Sequence, residues 1–439
     1  MVRLTPQNAE FVIVSFEGPD EYSRAGGLAV RVRDLAEALA GQGFRTHLFF
    51  IGDPTLPGIE ERGNLVLHRW GQWISEYHPA GVYDGEWEKM QDLAASLPLY
   101  LNQEIVYPAS THHKVTVLMG EDWQTVDTLV QTSHLLAQHS LLPHVIPVWT
   151  ANNIFGFDGI NWPSLVEAAT LMTVSRYMKH EMWRWGIDPL VVPNGIASSS
   201  LVTVEVASSR RLRTAFGREI ALFKIGRFSP DKRWIMALDA VAILKRMGTP
   251  ARILIRGDRS AYGQEVLAHA RAAGLRVENL ADRYHDVADL AAAMEERPEA
   301  DVLNLVSFLP DSLLPIIYAG VDGVLANSGH EPFGLVGLEV MGAGGVAFVG
   351  STGEEYAEPD RNAVVLDTDD PREIVVQLKR LQGEPEEAEK LRRRARKTAQ
   401  AYVWPEVLKE LFTKMEYVAL ARGVEPPADT VGREQGPRR

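Results

Sequence analysis

The chain contains no cysteine, which excludes disulfides, thiolate metal sites and a cysteine nucleophile. Positive charge is also short. With 45 Lys and Arg against 58 Asp and Glu, the formal net charge is -13, and the basic footprint of a nucleic-acid binder is missing. No apolar run approaches the length that spans a bilayer, and Met1 to Glu10 lacks the apolar core of a signal peptide. A cytoplasmic protein without a nucleic-acid partner is expected, while peripheral membrane contact stays open. Three motifs are absent as well: G-x-G-x-x-G, the Walker A loop and the G-x-S-x-G elbow. His112 and His113 are adjacent, and His134 and His139 are five apart. Neither spacing puts two metal ligands on one helical face, so no metal site is expected.

What is present is a repeated alternation of short apolar runs with helical patterns. At 439 residues the chain is long for one core, so two domains are expected. Phe11 to Ser15 reads as a strand, and Leu28, Val32, Leu35 and Leu39 recur at helical spacing before a second strand, Arg45 to Ile51. Gly26 and Gly27 stand at the turn between strand and helix. They permit a tight turn, or let a backbone approach an anion. From Gly52 the chain reads as irregular and aromatic, with Trp70, Trp73, Tyr77, Tyr83 and Trp87 available for packing or for stacking on sugar rings. Further strands are expected at Val115 to Met119, Val145 to Trp149 and Leu171 to Val174. The second of these stops at the polar pair Asn152-Asn153. Asn194-Gly195 marks a turn, and Ser198 to Ser200 opens a polar run that reads as an interdomain hinge.

A new series begins at Glu219 to Ile225 and continues with Ala251 to Arg256, Leu275 to Leu280, Val302 to Phe308, Val321 to Ala326, Val346 to Val349 and Ala363 to Leu366. After the first of these strands, Arg227 and Lys232 lie close enough in sequence to converge on one pyrophosphate, or to serve as ordinary surface cations. After Val321 to Ala326 comes the densest chemistry. Glu331 lies in a loop, Gly334 and Leu335 open an apolar helix, and Glu339 sits on that helix. Loops at the carboxyl edge of a parallel sheet are where such folds bind ligands. Free N–H groups suit anionic oxygens and carboxylates suit hydroxyls. Asp367-Thr368-Asp369 resembles a metal-nucleotide D-x-D sequence, but Asp370, Pro371 and Glu373 fit an N-cap, first-turn Pro and capping acid better. The charged segment Glu384 to Lys397 reads as a helix, broken at Trp404-Pro405. Leu408 to Ala421 is amphipathic, and residues 423–439 have the composition of a disordered tail.

Taken together these motifs resemble the retaining, glycogen- and starch-synthase-like glycosyltransferases of group 1. The resemblance runs from about Phe11 to Val407, with Glu331 and Glu339 matching an E-x7-E pattern and Gly226-Arg227 with Lys232 a G-R-x4-K pattern. Gly26-Gly27-Leu28, Glu121 to Thr125, Ser175-Arg176-Tyr177 and Pro193 to Ile196 are weaker matches. The resemblance implies a GT-B fold, with two Rossmann-like α/β domains facing across a cleft. Residues 1–196 would form the acceptor domain and residues 197–403 the donor domain, with a crossover helix at 404–422. It implies hexosyl transfer from a UDP-, ADP- or GDP-sugar to a glucan, small polyol, sugar or glycolipid acceptor, without a metal or other cofactor. Arg227 and Lys232 would then neutralise the diphosphate, Glu339 would hold the ribose, and Glu331 would sit by the donor sugar. Gly334 and Leu335 would offer N–H groups, with Gly26 and Gly27 approaching the phosphate. The chain departs from the pattern at Asn152, where the family commonly has histidine, at Glu121, and at Gly353-Glu354-Glu355, where a glycine pair is usual. Asn152 would orient the donor. Alternatively, the chain is a sugar-nucleotide or glucan binder that has lost its chemistry.

Overall fold

The computed structural model describes residues 3–201, 203–307 and 309–427. It divides into two compact units, Met1–Gly195 with Trp404–Arg439, and Ile196–Val403. Each is built on one parallel-dominated sheet, as alternating apolar runs and amphipathic helices require.

Among its described residues the first unit carries eight strands: β1 (Ala9–Val14), β2 (Thr46–Ile51), β3 (Ile59–Arg62), β4 (Leu65–Trp70), β5 (Val115–Glu121), β6 (Val145–Ala151), β7 (Thr170–Thr173) and β8 (Leu190–Val191). Their order is β3-β4-β2-β1-β5-β6-β7-β8, with only β3 antiparallel. The order reverses between β1 and β5, so the loops after these strands diverge and leave a crevice at the carboxyl edge. The region after Gly52 is not irregular. It forms β3 and β4, then a helix, Glu86–Tyr100, which runs into a π-helical stretch, Leu101–Val106. Its aromatics divide. Trp70 packs edge-on against Phe49 and Tyr100, whereas Trp73, Tyr77 and Trp87 are exposed.

The final helix, Trp404–Ala421, completes this unit. It starts four residues earlier than the amphipathic pattern from Leu408 indicates, because Trp404 itself is core. Trp404, Leu408, Leu411, Met415 and Val418 pack with Phe11, Leu35 and Phe44 at the helical repeat. The tail starts ordered: Val424 is buried, and the Pro427 carbonyl accepts from Asn8 Nδ2 at 3.0 Å. Residues 428–439 lie outside the described residues.

The second unit carries β9 (Ile220–Ile225), β10 (Ala251–Arg256), β11 (Val277–Leu280), β12 (Val302–Leu305), β13 (Gly323–Ala326), β14 (Ala347–Val349) and β15 (Val364–Val365), all parallel. Phe308, expected at the end of β12, lies outside the described residues. The order β11-β12-β10-β9-β13-β14-β15 reverses between β9 and β13. The loops after β9, β13 and β14 therefore leave neighbouring strands, which lie about 4.8 Å apart. That adjacency gathers the Arg227, Glu331 and Glu354 segments on one edge.

Candidate functional site

Two constellations emerge, one at the carboxyl edge of each sheet. In the second unit, the turn after β9 brings Lys232 Nζ to 2.6 Å from Glu331 Oε2, although the residues are 99 apart in sequence. Arg227 is exposed, and its guanidinium makes no hydrogen bond or ion pair with a described residue. Its carbonyl accepts from the buried Trp234 indole at 2.8 Å, which fixes the turn. Beneath it Lys224, fully buried, donates to the Leu325 carbonyl at 2.9 Å and to Asn327 Oδ1 at 2.6 Å. Burial holds the Lys224 ammonium well below its ordinary range. That lysine ties β9 to the loop carrying Glu331.

Gly334 begins the helix Leu335–Gly342 from a left-handed conformation, φ 82°. A Cβ here would lie 2.6 Å from Glu354 Cγ and 3.0 Å from Tyr356 Oη, so both backbone and packing require glycine. The Tyr356 hydroxyl donates to the Gly334 carbonyl. Glu339, on the next turn, accepts from Tyr318 at 3.2 Å. The loop after β14 supports Glu331 from below. The Glu331 N–H donates to Thr352 Oγ1 at 2.9 Å, and Gly353 N–H donates to the Glu331 carbonyl at 2.9 Å. Gly353 packs so closely on the Glu331 and Pro332 carbonyls that a Cβ would lie 2.2 Å from each. Glu354 is buried, accepts from the Thr352 N–H at 3.1 Å, and leaves Oε1 without a partner among the described residues. Burial, reinforced by the Glu331 charge, raises its pKa to about 7.

The structure places Arg227, Lys232, Glu331, Gly334, Leu335 and Glu339 on the loops and helix at one edge of this sheet, with Thr352, Glu354, Tyr356 and Tyr318 supporting them through contacts that the sequence pattern does not show. Asp367 to Asp369 are engaged locally. Glu373 accepts from the Asp367 and Thr368 N–H groups at 2.9 and 3.0 Å, Asp370 caps the helix Pro371–Gly383, and Asp369 pairs with Arg233 at 2.5 Å. Among the described residues, no group of three His, Cys, Asp or Glu is placed to hold a metal ion.

In the first unit, Gly26 is extended, φ -163°, rather than left-handed. Its N–H donates to Glu17 Oε2 at 2.8 Å, and the Ala25 and Ala29 N–H groups reach the same oxygen at 3.3 and 3.2 Å. Tyr83 donates to the other oxygen at 2.6 Å. The start of the helix Gly27–Gly41 thus already holds an anion, supplied by the protein's own carboxylate.

Asn152 and Asn153 follow β6 and meet the end of β5. Asn152 Nδ2 donates to Glu121 Oε2 at 2.7 Å, its N–H donates to Asp122 Oδ1 at 2.7 Å, and Asn153 Nδ2 donates to Asp122 Oδ2 at 2.7 Å. Glu121 is fully buried against Arg31, whose Nε lies 3.0 Å from Oε2. Asp122 has φ 63°, a strained conformation for a residue with a side chain. Burial, with the charges of Glu121 and Glu17, raises the Asp122 pKa to about 7. Neither Arg31 nor Glu17 announces itself in the sequence, since each acts through partners distant along the chain.

Comparisons with known proteins bear on this geometry. Residues 209–398 match the family model described as glycosyl transferases group 1. A GDP-mannose-dependent alpha-(1-6)-phosphatidylinositol dimannoside mannosyltransferase of Mycobacterium tuberculosis is 23% identical over 265 residues, 60% of this chain and 61% of that protein. The chain therefore spans about three fifths of that relative's length. Sucrose-phosphate synthase from Thermosynechococcus elongatus superposes with a TM-score of 0.67 at 16% identity, over 94% of this chain and all of the other. The catalytic domain of starch synthase IV from Arabidopsis thaliana, bound to ADP and acarbose, gives 0.68 at 13% identity, over 94% and 99%. The likeness establishes the fold as GT-B, with two Rossmann-like units.

Proposed function

With residues 209–398 matching glycosyl transferases group 1 and both units folded as in GT-B glycosyltransferases, we propose that the protein transfers a hexosyl group from a nucleoside-diphosphate sugar to an acceptor hydroxyl. Transfer proceeds with retention and without a metal. One observation carries this reading. Lys232 and Glu331 meet at 2.6 Å at the carboxyl edge of the second sheet, beside the glycine-started helix that bears Glu339. The arrangement offers what a sugar nucleotide presents. Arg227 and Lys232 supply cationic donors for the diphosphate, in the ground state and as charge grows on the leaving group. The Gly334 and Leu335 N–H groups add to that field at the helix start. Glu339 accepts from ribose hydroxyls, and Glu331, steadied by Lys232, accepts from hydroxyls of the donor sugar.

Retention follows from front-face attack, in which the departing phosphate takes the acceptor proton. That route asks for charge neutralisation rather than a protein nucleophile, and Glu331 is already committed to an ion pair. Asn152 orients the sugar rather than acting as a base, since an amide cannot take a proton at neutral pH. Gly26 and Gly27 shape the loop that Glu17 closes. The partners are a sugar nucleotide and a carbohydrate, small-molecule or glycolipid acceptor, and the setting is the cytoplasm.

The test is nucleoside-diphosphate release from a panel of UDP-glucose, ADP-glucose and GDP-mannose with mixed acceptors, with and without EDTA. Release with one donor, unchanged by EDTA and with the anomeric configuration kept in the product, is expected. Tight donor binding without release would instead mark a binding protein. Release abolished by EDTA would overturn metal independence.

A further inference from the structure

A cavity of about 370 Å³ opens in the first unit between the loop that follows β6 and the far end of the helix Arg176–Trp183. Its size falls within the roughly 300–1,000 Å³ of small-ligand pockets. Ile154, Phe157 and Trp185 are its apolar lining, and Asp158, Glu181 and Arg184 its polar lining. The aromatic part is held rigidly. Phe157 is buried and packs on Trp149 and Trp162, with ring centroids 6.5 and 5.1 Å apart. Trp185 is braced in turn by Phe157 at 6.1 Å and Trp162 at 6.0 Å, yet stays 39% exposed. A ring is thus offered to solvent with little conformational freedom left to lose. The loop is fixed as well. Asn153 Oδ1 accepts from the Phe155 N–H at 2.7 Å, and Gly156, at φ 72°, has no room for a Cβ against the Trp123 ring.

The charges around the cavity narrow the choice of ligand. Arg184 pairs with Glu181 at 2.7 Å, and Lys179, on the same helix, with Asp188 at 2.8 Å. Asp158 makes no hydrogen bond or ion pair with a described residue. Cations matched by local acids, with one carboxylate to spare, suit neither a phosphate nor an anionic lipid or nucleic acid. A guanidinium in the lining disfavours a cationic ligand. A sugar ring fits both halves: its C–H face packs on an indole, and its hydroxyls donate to carboxylates and accept from a guanidinium.

We propose that this cavity is a saccharide-holding site, with Trp185 as its stacking platform and Asp158 and Glu181 as acceptors for ring hydroxyls. The ligand is a neutral oligosaccharide or the exposed end of a polysaccharide. The site uses none of Arg227, Lys232, Glu331 or Glu339. It stands apart from the transferase reading, since holding a saccharide needs no sugar nucleotide.

The experiment applies labelled full-length protein to an array of neutral glucan, mannan, galactan and xylan oligosaccharides, and then measures the strongest binder by calorimetry. Binding of at least one is expected, unchanged by excess UDP and by added salt, as suits an uncharged ligand. Trp185→Ala and Asp158→Ala should each weaken it by about tenfold, the order of one stacked ring or one hydrogen bond to a charged group. Lys232→Ala should bind the saccharide as wild type does. Asp158 is exposed and has no described partner, so Asp158→Ala decides if Trp185→Ala does not fold. No binding anywhere on the array, or binding undiminished in Asp158→Ala, overturns the site. Binding of spermidine in place of every saccharide, weakened by salt, overturns the choice of ligand. A protein that holds a saccharide here but releases no nucleoside diphosphate keeps the site and overturns only the transferase reading.

Discussion

At the scale of single residues, the site is a set of charges whose partners decide their work. Lys232 and Glu331 are partly shielded and mutually paired. On the proposed function, Lys232→Ala removes a donor for the charge that develops on the leaving phosphate, so kcat/KM should fall by about 10²-fold or more. The thermal shift that UDP confers on wild type should shrink in the same variant. Equal turnover in variant and wild type would remove Lys232 from the machinery. Glu354 makes a second test, of pH. Its folded pKa is about 7 against an ordinary 4.5, because burial and Glu331 disfavour the carboxylate. The folded protein then holds a proton that the unfolded chain releases near pH 4.5. The acid imposes no penalty below that pH, and stability falls as pH climbs from there to about 7. The accumulated loss is on the order of 3 kcal/mol. Glu354→Gln cannot ionise, so its melting temperature relative to wild type should rise between pH 5 and pH 8 in steps of about one pH unit. A difference that stays flat across that range would contradict the buried-acid account.

At the scale of elements, glycine and capping chemistry set where helices begin. Gly334 starts the helix Leu335–Gly342 with φ 82° and no room for a Cβ. Gly334→Ala should cost about 1–3 kcal/mol in a denaturant titration and, on the proposed function, weaken UDP binding, since the N–H groups proposed to meet the phosphate belong to this turn. An unchanged midpoint would show that the turn relaxes freely. These beginnings were legible in the sequence, as were most strands, because buried parallel strands read as apolar runs. The stretch from Gly52 to Thr111 was not, for identifiable reasons. β4 buries His68 and Arg69 within its run. His68 ring-bonds His47 at 2.9 Å, and Arg69 pairs with Asp20 at 2.8 Å, so polar residues stand where an apolar pattern was sought. β3 is a mostly exposed edge strand whose Ile59 is followed by Glu60, Glu61 and Arg62, and the helix Glu86–Tyr100 carries Pro98. Local pattern cannot reveal a polar residue whose partner lies elsewhere in the chain. Arg31 with Glu121, ninety residues apart, was hidden in the same way, whereas Gly226-Arg227 with Lys232, and Glu331 with Glu339, stand in two short motifs that can each be read locally.

At the scale of the whole molecule, the chain's path makes the two units unequal. Ile196–Val403 is one continuous segment, while the first unit needs both Met1–Gly195 and the stretch from Trp404. The last helix gives the first unit's core Trp404, Leu408, Leu411 and Met415, all at most 2% exposed. Trp404 also covers Arg31, and a Cβ on Gly195 would lie 2.5 Å from its ring. Trp404→Ala should therefore destabilise the first unit by about 3–5 kcal/mol through loss of burial and the cavity left behind. A chain stopped at Val403 should lose that unit's cooperative melt. The second unit, with its own core around Trp234, Leu238 and Ile253, keeps all its strands in that truncation. Expressed alone as residues 196–403, it should still fold and bind UDP or another nucleoside diphosphate through Arg227, Lys232 and Glu339, without turning over a sugar nucleotide. Calorimetry on the isolated segment checks this. Full-length protein that binds a diphosphate while a well-folded segment does not would mean that the nucleotide contacts extend beyond the second unit. Binding by both, abolished in both by Lys232→Ala, would place them within it.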